Sequence, residues 1–501
     1  MNDHSGKSIS VWMATASLPL FSSLTKNEHA NVCIVGAGIS GLTAAYLLCH
    51  EGKSVIVLDD GPIVSGETER TTAHLTTVLE DRYYELAWLH GEEGARLLAE
   101  SHAAAIDTIE RIVIEEGIHC DFERLDGYLF TSPGESNAIL EWELEAAKRA
   151  GLNNAEIVAR APLESFDTGR ALRFPRQAQF HPLKYLAGIA KSIIRDGGRI
   201  YTQTHATKVD GGETASILTQ DGFLVTADFV IVATNTPVND LLAIHTKQAA
   251  YRTFVIGASV PMDLVHKALY WDTSDPYHYI RLAKDLLIVG GEDHKTGQAD
   301  DTEARYLRLE QWARTRFPMI TEIKFRWSGQ VMRPIDGIAF IGHNPMDKKN
   351  LYIVTGDSGN GITYGTIAGL LLTDLIQGRE NAWAALYEPS RKTIRALKRF
   401  VQENFNVALT YKDWITQGNL EKDALVPIGT GAILRRGLFK IAVYHDESGK
   451  MYECSAVCPH LGGIVAWNHS EETWDCPCHG SRFDKIGKVL NGPAINNLQK
   501  I

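Results

Sequence analysis

Four residues near the C-terminal end of the sequence have the types and spacing of a metal site. Cys458-Pro459-His460-Leu461-Gly462 is followed, with fifteen residues between His460 and Cys476, by Cys476-Pro477-Cys478-His479-Gly480-Ser481. The pattern sets each Cys–His pair on its own loop, so that two loops clasp one metal group from both sides. Two thiolates and two imidazoles suit either a tetrahedral zinc or a [2Fe–2S] cluster whose irons are held by two Cys and two His respectively. The ligand candidates are Cys458, His460, Cys476 and His479. Cys454 and Cys478 fall outside the set, and Cys454 reads as a plain buried thiol. Cys33, Cys49 and Cys120 are scattered, which is no disulfide framework and points to a reducing compartment, the cytoplasm.

A second constellation lies near the other end. Gly36-Ala37-Gly38-Ile39-Ser40-Gly41 fits GxGxxG between an apolar strand, Val32 to Val35, and a helix, Leu42 to His50. Glycines allow a tight turn and let the backbone approach a pyrophosphate at the helix N-terminus. Asp59 ends the second strand, 18 residues after Gly41, where an acid accepts hydrogen bonds from a ribose hydroxyl. NAD and FAD both fit this much.

Three later segments narrow the choice. Phe229 to Thr236 reads FVIVATNT, Gln330 to Gly342 reads QVMRPIDGIAFIG, and Leu351 to Gly365 reads LYIVTGDSGNGITYG. Their order and spacing resemble the D-amino-acid oxidase, glycine oxidase and sarcosine oxidase family over roughly residues 28–380. The resemblance implies FAD, with Gly359, Asn360, Gly361 and Ile362 presenting N–H groups to the flavin ring and Arg333 nearby. No second GxGxxG follows a second βαβ unit, which argues against a separate NAD(P)H domain. The cysteine and histidine loops, with Leu461-Gly462, Gly480-Ser481 and Gly492-Pro493-Ala494, resemble the Rieske family and favour the cluster over zinc. Two departures from the respiratory pattern stand out. Gly463 occupies the position of the disulfide partner of Cys478, and Phe483 stands where a Tyr would donate toward the cluster.

Catalytic candidates follow from position. His74, in Gly66 to Thr77 (GETERTTAHLTT), lies where the oxidase family crosses the flavin ring. Matching the family on Leu75-Thr76-Thr77 puts Thr71, not His74, at the position where some relatives attach flavin through a His, so covalent attachment is not expected. Arg281, after Tyr277, His278 and Tyr279, is a candidate clamp for a substrate carboxylate. Tyr364 lies in a flavin-proximal segment. His181, before Pro182 at a helix start, reads as a capping or packing residue.

The elements that must position these groups fall into four parts. Residues 1–30 are an N-terminal arm that is expected to pack, and 31–383 form an α/β FAD-binding unit, Rossmann-like and of the glutathione-reductase type, with an interleaved mixed-sheet substrate subdomain. Residues 384–419 are a helical linker and 420–501 a small all-β Rieske domain. Long helices are expected over 83–116 and 136–150, and strands dominate 250–330. The net charge of −11 makes phosphate backbones and anionic membranes poor partners, and no apolar run is long enough to span a bilayer. One basic run (Arg391, Lys392, Arg395, Lys398, Arg399) reads as a solvated helix face or a dock for an acidic redox partner.

Together these features predict an oxidoreductase that dehydrogenates an amine or amino acid and passes electrons from FAD through the cluster to an external carrier. A reductase running the other way and a flavin–cluster redox sensor without turnover remain open.

Overall fold

The computed structural model describes residues 5–239, 244–345, 347–414 and 425–501. Its central sheet orders the strands Phe340–His343, Leu351–Thr355, Leu224–Val232, Glu28–Val35, Val55–Leu58 and Arg199–Tyr201. All neighbours pair in parallel except the first two. Val32 to Ile34 and all of Val55–Leu58 are buried to 0% exposure, as strands covered on both faces require. Helices Ile39–His50 and Gly361–Ile376 pack side by side. Gly369 is the reason they can, since a Cβ there would stand 2.7 Å from the Thr43 side chain.

The second sheet has nine strands and is mixed. Its path runs Glu322–Pro334, Gln248–Ser259, Leu286–Lys295, Tyr279–Ala283, Leu269–Asp272, Glu123–Phe130, Ala171–Gln179 and His74–Leu75. Within 250–330 the sequence reading missed helix Thr302–Arg316. Its mostly polar sequence buries only Thr302, Tyr306, Leu309 and Ala313, a stripe too narrow to stand out as periodicity. The long helix is continuous in its hydrogen bonding from Tyr83 to Glu115 but kinks at Gly91, whose φ of 79° breaks the helical path. The linker is not one helix. Helix Ala384–Tyr387 stops before Pro389, and Leu397–Thr410 is the next full helix. The boundary expected at 419/420 lies outside the described residues.

The basic run is largely committed to the fold. Arg391 pairs with Asp336 at 2.8 Å, and Arg399 with Asp81 and Glu85 at 3.1 Å each. His181 caps helix Pro182–Arg195 through its side chain. The N-terminal arm packs on the loop before His74: Trp12 Nε1 donates to the Thr71 carbonyl at 2.6 Å.

Residues 425–501 form two antiparallel sheets, one of Thr430–Arg436, Phe439–His445 and Met451–Ser455, the other of Ala466–Asn468, Thr473–Asp475, Arg482–Asp484 and Val489–Asn491. This β unit is seated on the rest of the chain through a buried carboxylate. Glu471, with a fully buried side chain, faces Arg70 at 3.2 Å and Arg252 at 3.4 Å. Ser328 Oγ and Ser8 Oγ also donate to it. Burial alone would raise its pKa; Arg70, Arg252 and Arg482 outweigh that and hold it at about 2.

A carboxyl held that far below its ordinary 4.5 stabilises the folded state fully above 4.5, and the contribution disappears as pH falls toward 2. Glu471→Gln leaves buried guanidiniums without their counter-charge and is expected to cost roughly 3–5 kcal/mol at pH 7. Denaturant unfolding from pH 7 to 2.5 checks this: the wild type should lose its advantage over the variant in acid. Equal stability at pH 7 would refute the role assigned to this carboxylate.

Candidate functional site

One long cavity runs between the two large sheets, and its walls join most of the residues singled out from the sequence. Gly36, Gly38, Ile39, Ser40 and Asp59 line it, as do Gly359, Asn360, Gly361, Ile362 and His74. At Gly41 a Cβ would sit 1.9 Å from the Gly36 carbonyl oxygen. Gly36 has φ +107° and its Cβ would meet the Ala233 carbonyl oxygen at 2.4 Å. The turn is thus compressed against the strand ends as a pyrophosphate cradle requires. The helices starting at Ile39 and Gly361 both lack a side-chain cap, so both present backbone N–H groups at this cavity. Asp59 accepts from the N–H groups of Ala37 at 2.6 Å and Gly61 at 2.9 Å. Burial, with Asp60 beside it, pushes its carboxyl up to about 7, and the hydroxyls of a ribose would supply the donors it lacks.

The end of the cavity near Gly359 is acidic and aromatic. Glu80, Asp293, Trp271, Tyr277 and Tyr279 line it. Burial raises Glu80 to about 8 even though Arg333 stands 3.1 Å away. Asp293 is raised too, by burial, and its Oδ1 is buried without a hydrogen-bond partner. His74 Nδ1 meets Thr72 Oγ1 at 3.1 Å and Nε2 the Ile280 carbonyl at 3.3 Å. Burial and Arg281 lower it to about 3, so it is a neutral imidazole at pH 7.

Three candidates stand elsewhere. Arg281 is not on the cavity wall. Its Nη1 donates to the carbonyls of Ala73 at 2.6 Å and Thr72 at 3.0 Å, and its Nη2 to that of Phe180 at 3.4 Å, so the end of the guanidinium that suggested a carboxylate clamp pins the loop that carries His74. Tyr364 is buried with its ring edge-on to His102 at 4.7 Å, on the side of its helix away from the cavity wall. Arg333 acts behind the wall, through Glu80. Sequence reasoning missed Glu80, Asp293 and Asp357. Asp357 lies inside the glycine-rich segment Leu351 to Gly365 but no role was read for it there, and no motif marks Glu80 or Asp293.

The two cysteine–histidine loops repeat one geometry. The Cys458 carbonyl accepts from Gly462 N–H at 3.0 Å, and the Cys476 carbonyl from Gly480 N–H at 3.0 Å. Gly462 and Gly480 have φ of +78° and +79°, which favours glycine at both turns. His460 and His479 lie with ring centroids 5.1 Å apart, and Cys458 and Cys476 are buried in the same small core. His479 Nδ1 is buried without a hydrogen-bond partner, and burial lowers the ring to about 3. Two adjacent thiols and a neutral buried imidazole with an unmet nitrogen are the donor set a cluster needs. A Cβ on Gly463 would stand 2.4 Å from Cys478 Sγ, so this glycine does occupy the place facing that thiol. The loops face inward: Gln330, on the cavity wall, donates from Nε2 to the Gly480 carbonyl at 3.0 Å, and His245 stands edge-on to His460 at 4.9 Å.

Fold and sites together define a flavoprotein oxidoreductase with an iron–sulfur domain, and comparison with known proteins agrees. Residues 31–375 match the FAD dependent oxidoreductase family and residues 424–501 the Rieske [2Fe–2S] domain. The chain belongs to the FAD dependent oxidoreductase family, and its cofactors are FAD and a [2Fe–2S] cluster. It is 32% identical over 500 residues to the Rieske 2Fe–2S iron–sulfur protein YhfW of Bacillus subtilis (strain 168), covering 98% of this chain and 97% of that protein. It is 27% identical over 400 residues to γ-glutamylputrescine oxidoreductase of Escherichia coli (strain K12), covering 75% and 91% respectively. Glycine oxidase from Geobacillus kaustophilus shares the fold, with a TM-score of 0.61 at 16% identity over 73% of this chain and 100% of that one.

Gly41→Val should abolish FAD binding, because the side chain has no space beside the Gly36 carbonyl. Flavin released on denaturation measures it, and stoichiometric flavin in a folded variant would contradict the cradle. Ser481 is buried on the second loop, where its carbonyl accepts from Cys476 N–H at 2.8 Å and its Oγ accepts from Ala494 N–H at 3.0 Å; its O–H is left to donate toward the cluster, so Ser481→Ala should lower the cluster midpoint potential. A redox titration showing an unchanged or raised midpoint would contradict this.

Proposed function

We propose that this chain dehydrogenates an amine or amino acid and delivers the electrons to an external one-electron carrier. When bound, FAD supplies a hydride acceptor and the [2Fe–2S] cluster a one-electron relay. The observation that carries the reading is the acidic, aromatic pocket at the Gly359 end of the cavity, set in the same wall that Gln330 ties to the cluster loop. Trp271, Tyr277 and Tyr279 exclude water and give the substrate apolar faces. Asp293 Oδ1, buried without a hydrogen-bond partner, accepts from a substrate N–H. Glu80, held near 8, exchanges a proton with the substrate nitrogen close to neutral pH. His74, being neutral, shapes the pocket and carries no charge into it.

On the cluster side, Cys458 and Cys476 hold one iron and His460 and His479 the other. None of the seven cysteines is in a disulfide, which supports a reducing compartment, the cytoplasm. Among the described residues no helix is long and apolar enough to cross a membrane.

Anaerobic rapid mixing tests the reading, with flavin and cluster absorbance followed separately. A suitable amine or amino acid should bleach the flavin first and the cluster second; NADH should do neither. Cys476→Ser should keep substrate-dependent flavin bleaching, lose the cluster and slow turnover with a one-electron acceptor. Reduction of the cluster first, by an outside donor, would reverse the direction and overturn the proposal.

A further inference from the structure

The FAD cavity is not walled by the oxidoreductase domain alone. Lys488, Val489, Leu490, Asn491, Gly492 and Ala494, all from the Rieske domain, line it. They are fastened at the end of the cavity marked by Asp59. His205 bridges the two domains there: its Nε2 meets the Ile495 carbonyl at 3.0 Å and its Nδ1 meets Asp60 Oδ2 at 3.3 Å. Asn491 Nδ2 donates to Glu67 Oε1 at 3.4 Å, and Ser5 Oγ donates to Asn491 Oδ1 at 2.6 Å. Gly492 lies so close to the strand end that a Cβ would come within 3.2 Å of the Thr236 carbonyl oxygen. The acid that ends the second strand marks the ribose side of a dinucleotide, so this is the adenosine half of the site.

We infer that segment 488–494 of the Rieske domain is part of the FAD-binding site and closes its adenosine half. Val489 and Leu490 provide apolar cover, Asn491 a polar contact, and Lys488 a cation on a wall that otherwise offers Asp59 and Asp60. Binding energy is then shared between the domains. By linkage, whatever factor domain docking adds to FAD affinity, FAD adds to docking. The cofactor is a bridge between the two halves of the chain as well as the redox group of one.

Hydrogen exchange on the full chain tests this, comparing cluster-loaded protein stripped of FAD with the same protein reloaded. FAD should slow exchange of the amides in 489–495 by about tenfold or more, together with those of 36–41, and leave 430–436 unchanged. Protection of 36–41 with no change in 489–495 overturns the inference. As a second arm, Leu490→Asp in the full chain should speed FAD release about tenfold while iron content and the cluster's electron paramagnetic resonance spectrum stay as in the wild type. Unaltered FAD release in that variant overturns it equally.

Discussion

A single carboxylate, Glu471, is the contact on which the arrangement of the two redox sites depends. It belongs to the β unit, yet Arg70 comes from the stretch leading to His74 and Arg252 from the second sheet. Left uncompensated in the interior, a charge of either sign is costly. Glu471 and the guanidiniums around it are therefore acceptable only together, which makes docking of the β unit close to all-or-none. Once it is seated, the Gly480 carbonyl meets Gln330, and Pro477 and its neighbours press on Gly297.

The interior of the cavity shows a different balance. Around Glu471 the guanidiniums of Arg70, Arg252 and Arg482 outweigh burial and the carboxylate stays ionised. Around Glu80, Asp293 and Asp357 acids are in excess, and burial raises all three, Asp357 to about 7. Whether a buried carboxyl is held low or pushed up is thus set by the guanidiniums near it. Arg281 serves structure in the same way, turning its two Nη groups to three backbone carbonyls.

The parts legible in the sequence were those in which chemistry and covalent neighbourhood coincide. The glycine turn, Asp59, the second glycine-rich turn and the two cysteine–histidine loops each occupy a short stretch whose backbone conformation is itself the function. Glu471 is 401 positions from Arg70, and Asn491 is 424 from Glu67. No local pattern distinguishes such residues from solvated ones. Arg281 and Tyr364 show the converse. Both lie in segments near the flavin, but strand pleat and helix phase decide which side chains reach the cavity, and one sequence does not reveal the phase.

The wall shared by both domains bears on how such a chain can change over generations. A gene fusion ordinarily leaves two modules that recombination can separate again, each keeping its own ligand. Here splitting the gene after the oxidoreductase half would leave the nucleotide exposed along one flank, and exchanging the β unit for a different electron carrier would meet the same obstacle. The two halves are constrained to diverge together. Substitutions around Asp59 and Glu67 are tolerated only as far as the tail at 488–495 adjusts to them.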